Sequence, residues 1–224
     1  MKKETEKSLK TKNLIYETAI SLFQSEGFDK ATMREISKKA EVSLGLTYYH
    51  FKSKEEIVFH FYEKTQEESY SLNLKYCEKE RDFKKRIINI LTTKIEQFDP
   101  YSNFLHVLAR TAVDPKSPLS PFSTETSNIR KNAVEIFQHA ITSSNYKPPE
   151  DLKIALPAIL WMYQMSIIYF WILDKSKGKE KTYTLIEVSF DLIFKLLRIS
   201  RLPFMKPIRK TILKLYSFIL GSVN

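Results

Sequence analysis

The chain is poor in the residues that make cross-links and tight turns. Among 224 residues there is one cysteine, Cys77, with four glycines and nine prolines. A single cysteine closes no intrachain disulfide and completes no metal cluster by itself, so a reducing compartment, the cytoplasm, is expected. So little turn material argues against a sandwich or barrel of many short strands. No stretch alternates apolar and polar residues over a useful length, and no internal repeat is visible. The four histidines (50, 60, 106 and 139) are scattered, and no glycine-rich phosphate loop or nucleophile constellation occurs. No enzymatic activity, cofactor or metal is therefore expected. The N-terminal Met-Lys-Lys-Glu-Thr-Glu-Lys mixes charges of both signs without a following apolar run, so no signal peptide is expected.

What is present describes a globular chain. Apolar residues make up 43%, charged residues 28% and aromatic residues 13%, enough for a sizeable core. The net charge of +10 is uneven: residues 195–224 hold seven basic groups and no acid, so most of the excess lies in the tail. A basic total invites a polyanion, but here it says little about the N-terminal part. From Ile154 to Leu173 there is no charge, and about 20 apolar residues cross a bilayer. Pro157, Gln164, Ser166 and two tyrosines interrupt that run, and both tryptophans lie inside it. A helix buried on most sides, in a core or a dimer seam, fits it better than a membrane span.

The pattern is helical throughout. Ile15, Ala19, Leu22 and Phe23 form an apolar stripe on a helix over about 11–26, ended by Gly27. Thr32 and Glu35 form a capping box that opens a short helix burying Ile36 and Ala40. A connection over 41–44 leads to a third short helix at about 45–51, and Ser53 caps a long helix beginning at Lys54. That helix buries Ile57, Phe61 and Thr65. Phe83, Ile87, Ile90, Leu91 and Ile95 mark the next, and Asp99-Pro100 is expected to open another through Val113. The stretch 114–121 reads as loop, with Ser120-Pro121 opening a helix to about Ser143. The uncharged helix follows, then one from about 181 to 199. Pro203 and Pro207 isolate a last basic, amphipathic helix over about 206–221, with Ile208, Ile212, Leu215 and Ile219 on one side. The expected class is all-α.

Two short helices at 32–40 and 45–51, joined by a tight turn and braced by a preceding helix, have helix-turn-helix form. Ala40 lets the helices approach, Val42 fills the space beneath the turn, and Ile36 and Phe51 plug a small core. The run Ala19-x2-Leu22-Phe23-x3-Gly27-Phe28-x3-Thr32-x2-Glu35-Ile36-x3-Ala40-x-Val42-Ser43-x-Gly45-x2-Tyr48-Tyr49-His50-Phe51-Lys52-Ser53-Lys54-Glu55 resembles the DNA-binding domain of the tetracycline-repressor (TetR) family of regulators. The likeness covers about residues 10–60, with glycines, turn residues, aromatic run and lysine in register. It implies a helix-turn-helix DNA-binding domain over residues 1–56. It implies a helical effector-binding and dimerisation domain over 57–224. Together these would make a homodimeric repressor that binds an inverted repeat in double-stranded DNA.

Carried over residue by residue, the resemblance puts Thr32 against a phosphate, Arg34 where some members read guanine, and Ser43, Leu44, Gly45 and Leu46 at the leading end of the recognition helix. Tyr48, Tyr49 and His50 fall where the family contacts backbone and base edges, and Lys54 where it contacts phosphate. Leucines replace the polar groups usual at 44 and 46, and Thr47 replaces an apolar core residue. Thymine methyls are therefore the expected partners of the two leucines.

The region from Phe98 to Trp171 is rich in aromatic and sulfur side chains. Phe98, Phe104, Phe137, Trp161 and Met165, with His106 and Gln164 as orienting polar groups, are candidates to line a pocket for an apolar or aromatic effector. For any one of them, packing in the core of a helical bundle is the plainer reading. Val188, Leu192, Leu196 and Ile199, with Phe190 and Phe194, exceed what one intrachain contact needs. Helices over about 151–174 and 181–200 are thus the expected homodimer seam. The basic tail is expected to cover apolar surface of its own domain rather than lie on an anionic membrane or touch DNA. No stable membrane association is expected. The competing reading is a membrane-associated or interaction protein built on the uncharged helix and the tail.

Overall fold

The computed structural model describes residues 6–114 and 116–221, the side chains of 219–221 excepted. Among the described residues it holds ten α-helices and no strand: α1 (Glu6–Glu26), α2 (Met33–Lys39), α3 (Leu44–His50), α4 (Lys54–Lys79), α5 (Phe83–Phe98), α6 (Ser102–Ala112), α7 (Ser127–Thr142), α8 (Leu156–Leu173), α9 (Glu180–Ile199) and α10 (Lys206–Gly221). The all-α expectation holds. Two compact units form, one from the chain up to Lys64 with Tyr101–Ser120, the other from Thr65–Pro100 with the chain beyond Pro121.

In the first unit the stripe Ile15, Ala19, Leu22 and Phe23 is buried, as are Ile36, Ala40, Phe51, Ile57 and Phe61. Phe104 of α6 joins this core, its ring 5.5 Å from that of Phe23 and 5.3 Å from that of Phe61. Such a desolvated aromatic cluster adds about 0.5–1.5 kcal/mol per ring pair beyond area burial. Gly27 closes α1 at φ +89°, a backbone conformation that a side chain resists, and its N–H reaches the Phe23 carbonyl at 3.2 Å. α1 begins five residues before the apolar stripe suggests. Its first turns are polar but good helix formers, tied by a Lys10–Glu6 pair at 2.7 Å, so periodicity does not register them.

In the second unit Phe83, Ile87, Ile90, Leu91, Ile95 and Phe98 form the buried side of α5. Arg86 is buried among them with all three guanidinium nitrogens engaged: it donates to the Glu80, Cys77 and Ala140 carbonyls and to Ser143 Oγ. Asp174 closes α8 and holds the start of α9, accepting from Ser176 and from the N–H and hydroxyl of Thr182. Burial pushes its carboxyl up, but these hydrogen bonds more than offset that and leave it well below the usual range. α8 is long and apolar enough to cross a membrane, and 56% of it is buried within the chain.

Two expected boundaries shift, while the last helix keeps its expected span of about 206–221. Asp99 continues α5 in helical conformation and donates to the Ile95 carbonyl, so 99–101 is a short 3-10 turn and α6 opens at Ser102. α7 opens at Ser127 rather than at Pro121, because Arg130 holds the Pro121 and Ser123 carbonyls at 2.8 and 3.1 Å and keeps that stretch as loop. Pro207 is the second residue of α10, where its missing N–H leaves no bond unmade.

The tail also departs from expectation. Ile208, Ile212 and Leu215 are exposed, so α10 does not lay its apolar side on its own unit; Ile219 falls outside the described side chains. What docks α10 is Arg209, buried and bonded to Asp151 at 2.8 Å and to the Ser200 carbonyl.

Candidate nucleic-acid interface and effector region

The turn between α2 and α3 is built from the backbone outward. Thr32 caps α2 by accepting from the Glu35 N–H at 3.2 Å, while the Glu35 carboxylate accepts from the Thr32 N–H and hydroxyl, both at 2.8 Å. These bonds hold the Glu35 carboxyl below its ordinary value. Glu41 takes a left-handed φ of 54°, turning the chain so that the Val42 N–H reaches the Ser37 carbonyl at 3.1 Å. Ser43 then caps α3 by accepting from the Leu46 N–H at 3.2 Å. Thr47 faces the core fully buried, and its hydroxyl donates to the Ser43 carbonyl at 3.2 Å. A polar residue is tolerated there because its one donor is satisfied within its own helix.

The opposite side of α3 is open. Leu44 and Leu46 are 36% and 38% exposed, Tyr48 is exposed, and Tyr49 is 76% exposed with its ring edge-on to His50 at 5.1 Å. A side chain added at Gly45 would meet nothing within 4 Å. Arg34 is exposed on α2, with no protein partner for its guanidinium among the described residues. Thr32, Arg34, Ser43, Leu44, Gly45, Leu46, Tyr48 and Tyr49 are all exposed, and His50 is half-buried. Lys54 differs from them: its ammonium donates to the Phe28 carbonyl at 2.7 Å and sits 4.6 Å from the Phe28 ring centre. It ties α4 to the α1–α2 connection with part of its donor capacity.

The candidate effector residues are not all brought together. Phe104 and His106 fall in the first unit, Phe104 in its core and His106 on its surface. Phe98, Phe137, Trp161, Gln164 and Met165 fall in the second, all but Met165 buried. Trp161 packs edge-on to Phe122 at 5.4 Å and borders a groove of about 330 Å³ between α7 and α8, with Arg130, Gln138 and Ile154 on its walls. Phe98 packs against Trp171 at 6.4 Å.

Lys94, which no sequence motif marks, lies buried beside Phe98. Its Nζ donates to the Thr65 carbonyl at 3.2 Å and to Gln97 Oε1 at 3.1 Å, and stands 5.2 Å from the Phe98 ring centre. Burial lowers its pKa to about 7, with Glu68 acting weakly the other way. The signal was available: Lys94 is spaced three and four residues from Leu91, Ile90 and Phe98, inside the apolar stripe of α5.

A short helix with a buried rear and an open front, joined by a tight turn to a second and braced by α1, defines a helix-turn-helix protein. Residues 15–61 match the family described as bacterial regulatory proteins, tetR family, and residues 86–214 match the tetracyclin repressor-like C-terminal domain. The chain belongs to the TetR family of transcriptional regulators. It is 42% identical over 57 residues to YttP of Bacillus subtilis (strain 168), described as an HTH-type transcriptional regulator; the match spans 28% of that protein. It shares its fold with a TetR-family protein of Syntrophomonas wolfei, at TM-score 0.64 and 18% identity over 83% of this chain and 95% of that one. The FadR regulator of Bacillus subtilis, solved with stearoyl-CoA, has TM-score 0.63 and 13% identity over 80% of this chain and 96% of its own.

Proposed function

We propose that the chain is a repressor that binds an inverted-repeat operator as a homodimer and is released by a small effector with a large apolar or aromatic part. The observation that carries this reading is the division of α3 into a buried rear, at Thr47, and an open front from Ser43 to His50. The wide groove of B-DNA, about 12 Å across, admits such a helix, and Leu44 and Leu46 suit thymine methyls where a polar pair would seek base edges. Arg34, with its donors uncommitted, suits guanine, and Thr32 and Lys54 suit phosphate. The DNA-binding part is residues 1–56, and 57–224 supplies effector site and dimer contact.

The dimer seam is assigned to α8 and α9. Val188, Leu192, Leu196 and Ile199 lie on one side of α9 and are all exposed, opposite its buried Ile186 and Phe190. Two such helices from each copy make a four-helix bundle, whose two-fold axis presents two recognition helices to half-sites about 34 Å or a multiple apart. The effector acts by binding more tightly to the form whose recognition helices no longer match that spacing. The protein works in the cytoplasm and carries out no catalysis.

Selection of bound duplexes from a random pool tests this. The expected product is an inverted repeat with thymines at the positions facing Leu44 and Leu46. A pool without enrichment, or a direct unpaired motif bound by monomer, overturns the proposal.

A further inference from the structure

The second unit keeps two hydrogen-bond donors that its own fold leaves incompletely used. Lys94 Nζ has three N–H groups, and two find acceptors, the Thr65 carbonyl and Gln97 Oε1. No carboxylate pairs with it directly among the described residues; Glu68 is linked only through Gln97. A buried ammonium without an ion-pair partner is destabilising, and a leucine or methionine in the stripe of α5 would cost nothing comparable. The Trp171 indole N–H is the second: fully buried, it has no acceptor among the described residues. Both residues border the same ring, the Lys94 ammonium at 5.2 Å from the centre of Phe98 and the Trp171 ring centre at 6.4 Å from it. Buried indoles ordinarily find a partner, so two donors around one phenyl ring are chemistry awaiting an acceptor.

We propose that Lys94 and the Trp171 indole N–H form the polar end of the effector site in the second unit. The effector is accordingly an apolar molecule that ends in a carboxylate. The inference rests on the effector-controlled regulator proposed above and refines it, since α8 itself offers no charge while α5 does. Phe98, against which both residues pack, supplies the apolar floor. The anion pairs with an amine whose pKa of about 7 rises again once the charge is met, so binding and protonation favour one another.

The test is calorimetry on the full chain with decanoate, decanol, 2-naphthoate and 2-naphthol. The acid–alcohol pairs isolate the charge, and the chain and ring arms distinguish an aliphatic from an aromatic source. At least one acid is expected to bind about tenfold or more tightly than its alcohol, the worth of a buried charge-assisted bond. Lys94→Met should remove that preference while changing the alcohol by about twofold or less. Trp171→Phe should weaken the acid and keep part of the preference. Where the methionine variant does not hold its fold, Lys94→Gln serves, since it keeps a neutral polar donor and removes the charge. Equal binding of acid and alcohol, a preference that survives Lys94→Met, or no saturable binding of any of the four overturns the subsite. The same acid added to the selected duplex complex separates the two proposals. Tight acid binding that leaves DNA bound keeps the subsite and removes its role as inducer, whereas failure of the protein to select DNA removes the regulator reading alone.

Discussion

α3 and α9 both present a row of exposed apolar side chains, and their surroundings differ. Leu44, Leu46, Tyr48 and Tyr49 are interspersed with a bare Gly45 and flanked by the unpaired Arg34, so the row is broken by groups that seek polar edges. Val188, Leu192, Leu196 and Ile199 repeat at three- and four-residue spacing, and the one polar side chain along them, Lys195, is tied to Asp191 at 2.7 Å. The first pattern suits a surface of alternating methyls and acceptors; the second suits only another apolar face. Exposure alone therefore says little about a partner, and the polar groups woven through it say most.

The comparison breaks if the two rows are interchangeable. Leu192→Glu with Leu196→Glu places four carboxylates in the proposed seam of a dimer, each costing several kcal/mol if left there. The expected result is a monomer by sedimentation, with operator affinity down by about a hundredfold or more as half-sites are bound singly. Leu46→Glu should cost operator affinity on a similar scale through repulsion by phosphate, yet leave the dimer mass unchanged. Each substitution is on the surface, so unfolding free energy should move by about 0.5 kcal/mol or less per site in the monomer. If Leu46→Glu dissociates the dimer, or the α9 pair leaves its mass intact, the assignment of partners is wrong.

A third region sharpens the contrast, because its polar group is hidden. Lys94 has a folded pKa of about 7, against the 10.5 of a lysine in water. Between those values the unfolded chain holds more protons than the folded one, so stability rises with pH across that window. Below pH 7 both states are protonated and the burial penalty is fully present; above about 10.5 it is relieved. Lys94→Met should therefore raise the unfolding free energy by about 1–3 kcal/mol at pH 6, a gain that shrinks as pH passes from 7 toward 10. Urea titrations at pH 6, 8 and 9.5 measure it. An advantage that grows with pH would show the reverse, that the folded chain holds the Lys94 proton more tightly than the unfolded one and so meets its charge.

How far the chain could be read from its residues follows from these regions. The buried stripes of α1 and α5 and the capping box were legible because burial follows helical period and capping follows local hydrogen bonding. The open front of α3 was legible through a motif in register, and so was its rear at Thr47, whose burial turns on a bond to the Ser43 carbonyl that spacing alone does not give. The opening of α7 was not, since it depends on Arg130 reaching back to the Pro121 and Ser123 carbonyls. Nor was the lie of α10: a hydrophobic side predicts that something covers it, and in this chain its basic Arg209 is the residue that docks. Lys94 was legible and passed over, because a lysine in an apolar stripe looks like an edge residue until its carbonyl partner is known.

The smallest expected effect concerns the phosphate contact at the start of α2. Thr32 offers its hydroxyl and N–H to a phosphate in the proposed complex, yet both already donate to the Glu35 carboxylate at 2.8 Å. A phosphate oxygen must therefore share those donors with, or displace, a negative charge. Glu35→Gln keeps the reciprocal cap, because an amide oxygen accepts from the same N–H, and it removes the charge. Stability should change by a few tenths of a kcal/mol, while operator affinity at low salt rises about two- to fivefold, an effect that fades as salt screens the phosphates. Thr32→Ala is the counterpart: it costs about 1 kcal/mol of stability through the lost cap and lowers affinity without altering base preference. An affinity indifferent to Glu35→Gln at every salt concentration would place Thr32 away from the phosphate and confine its part to the folding of α2.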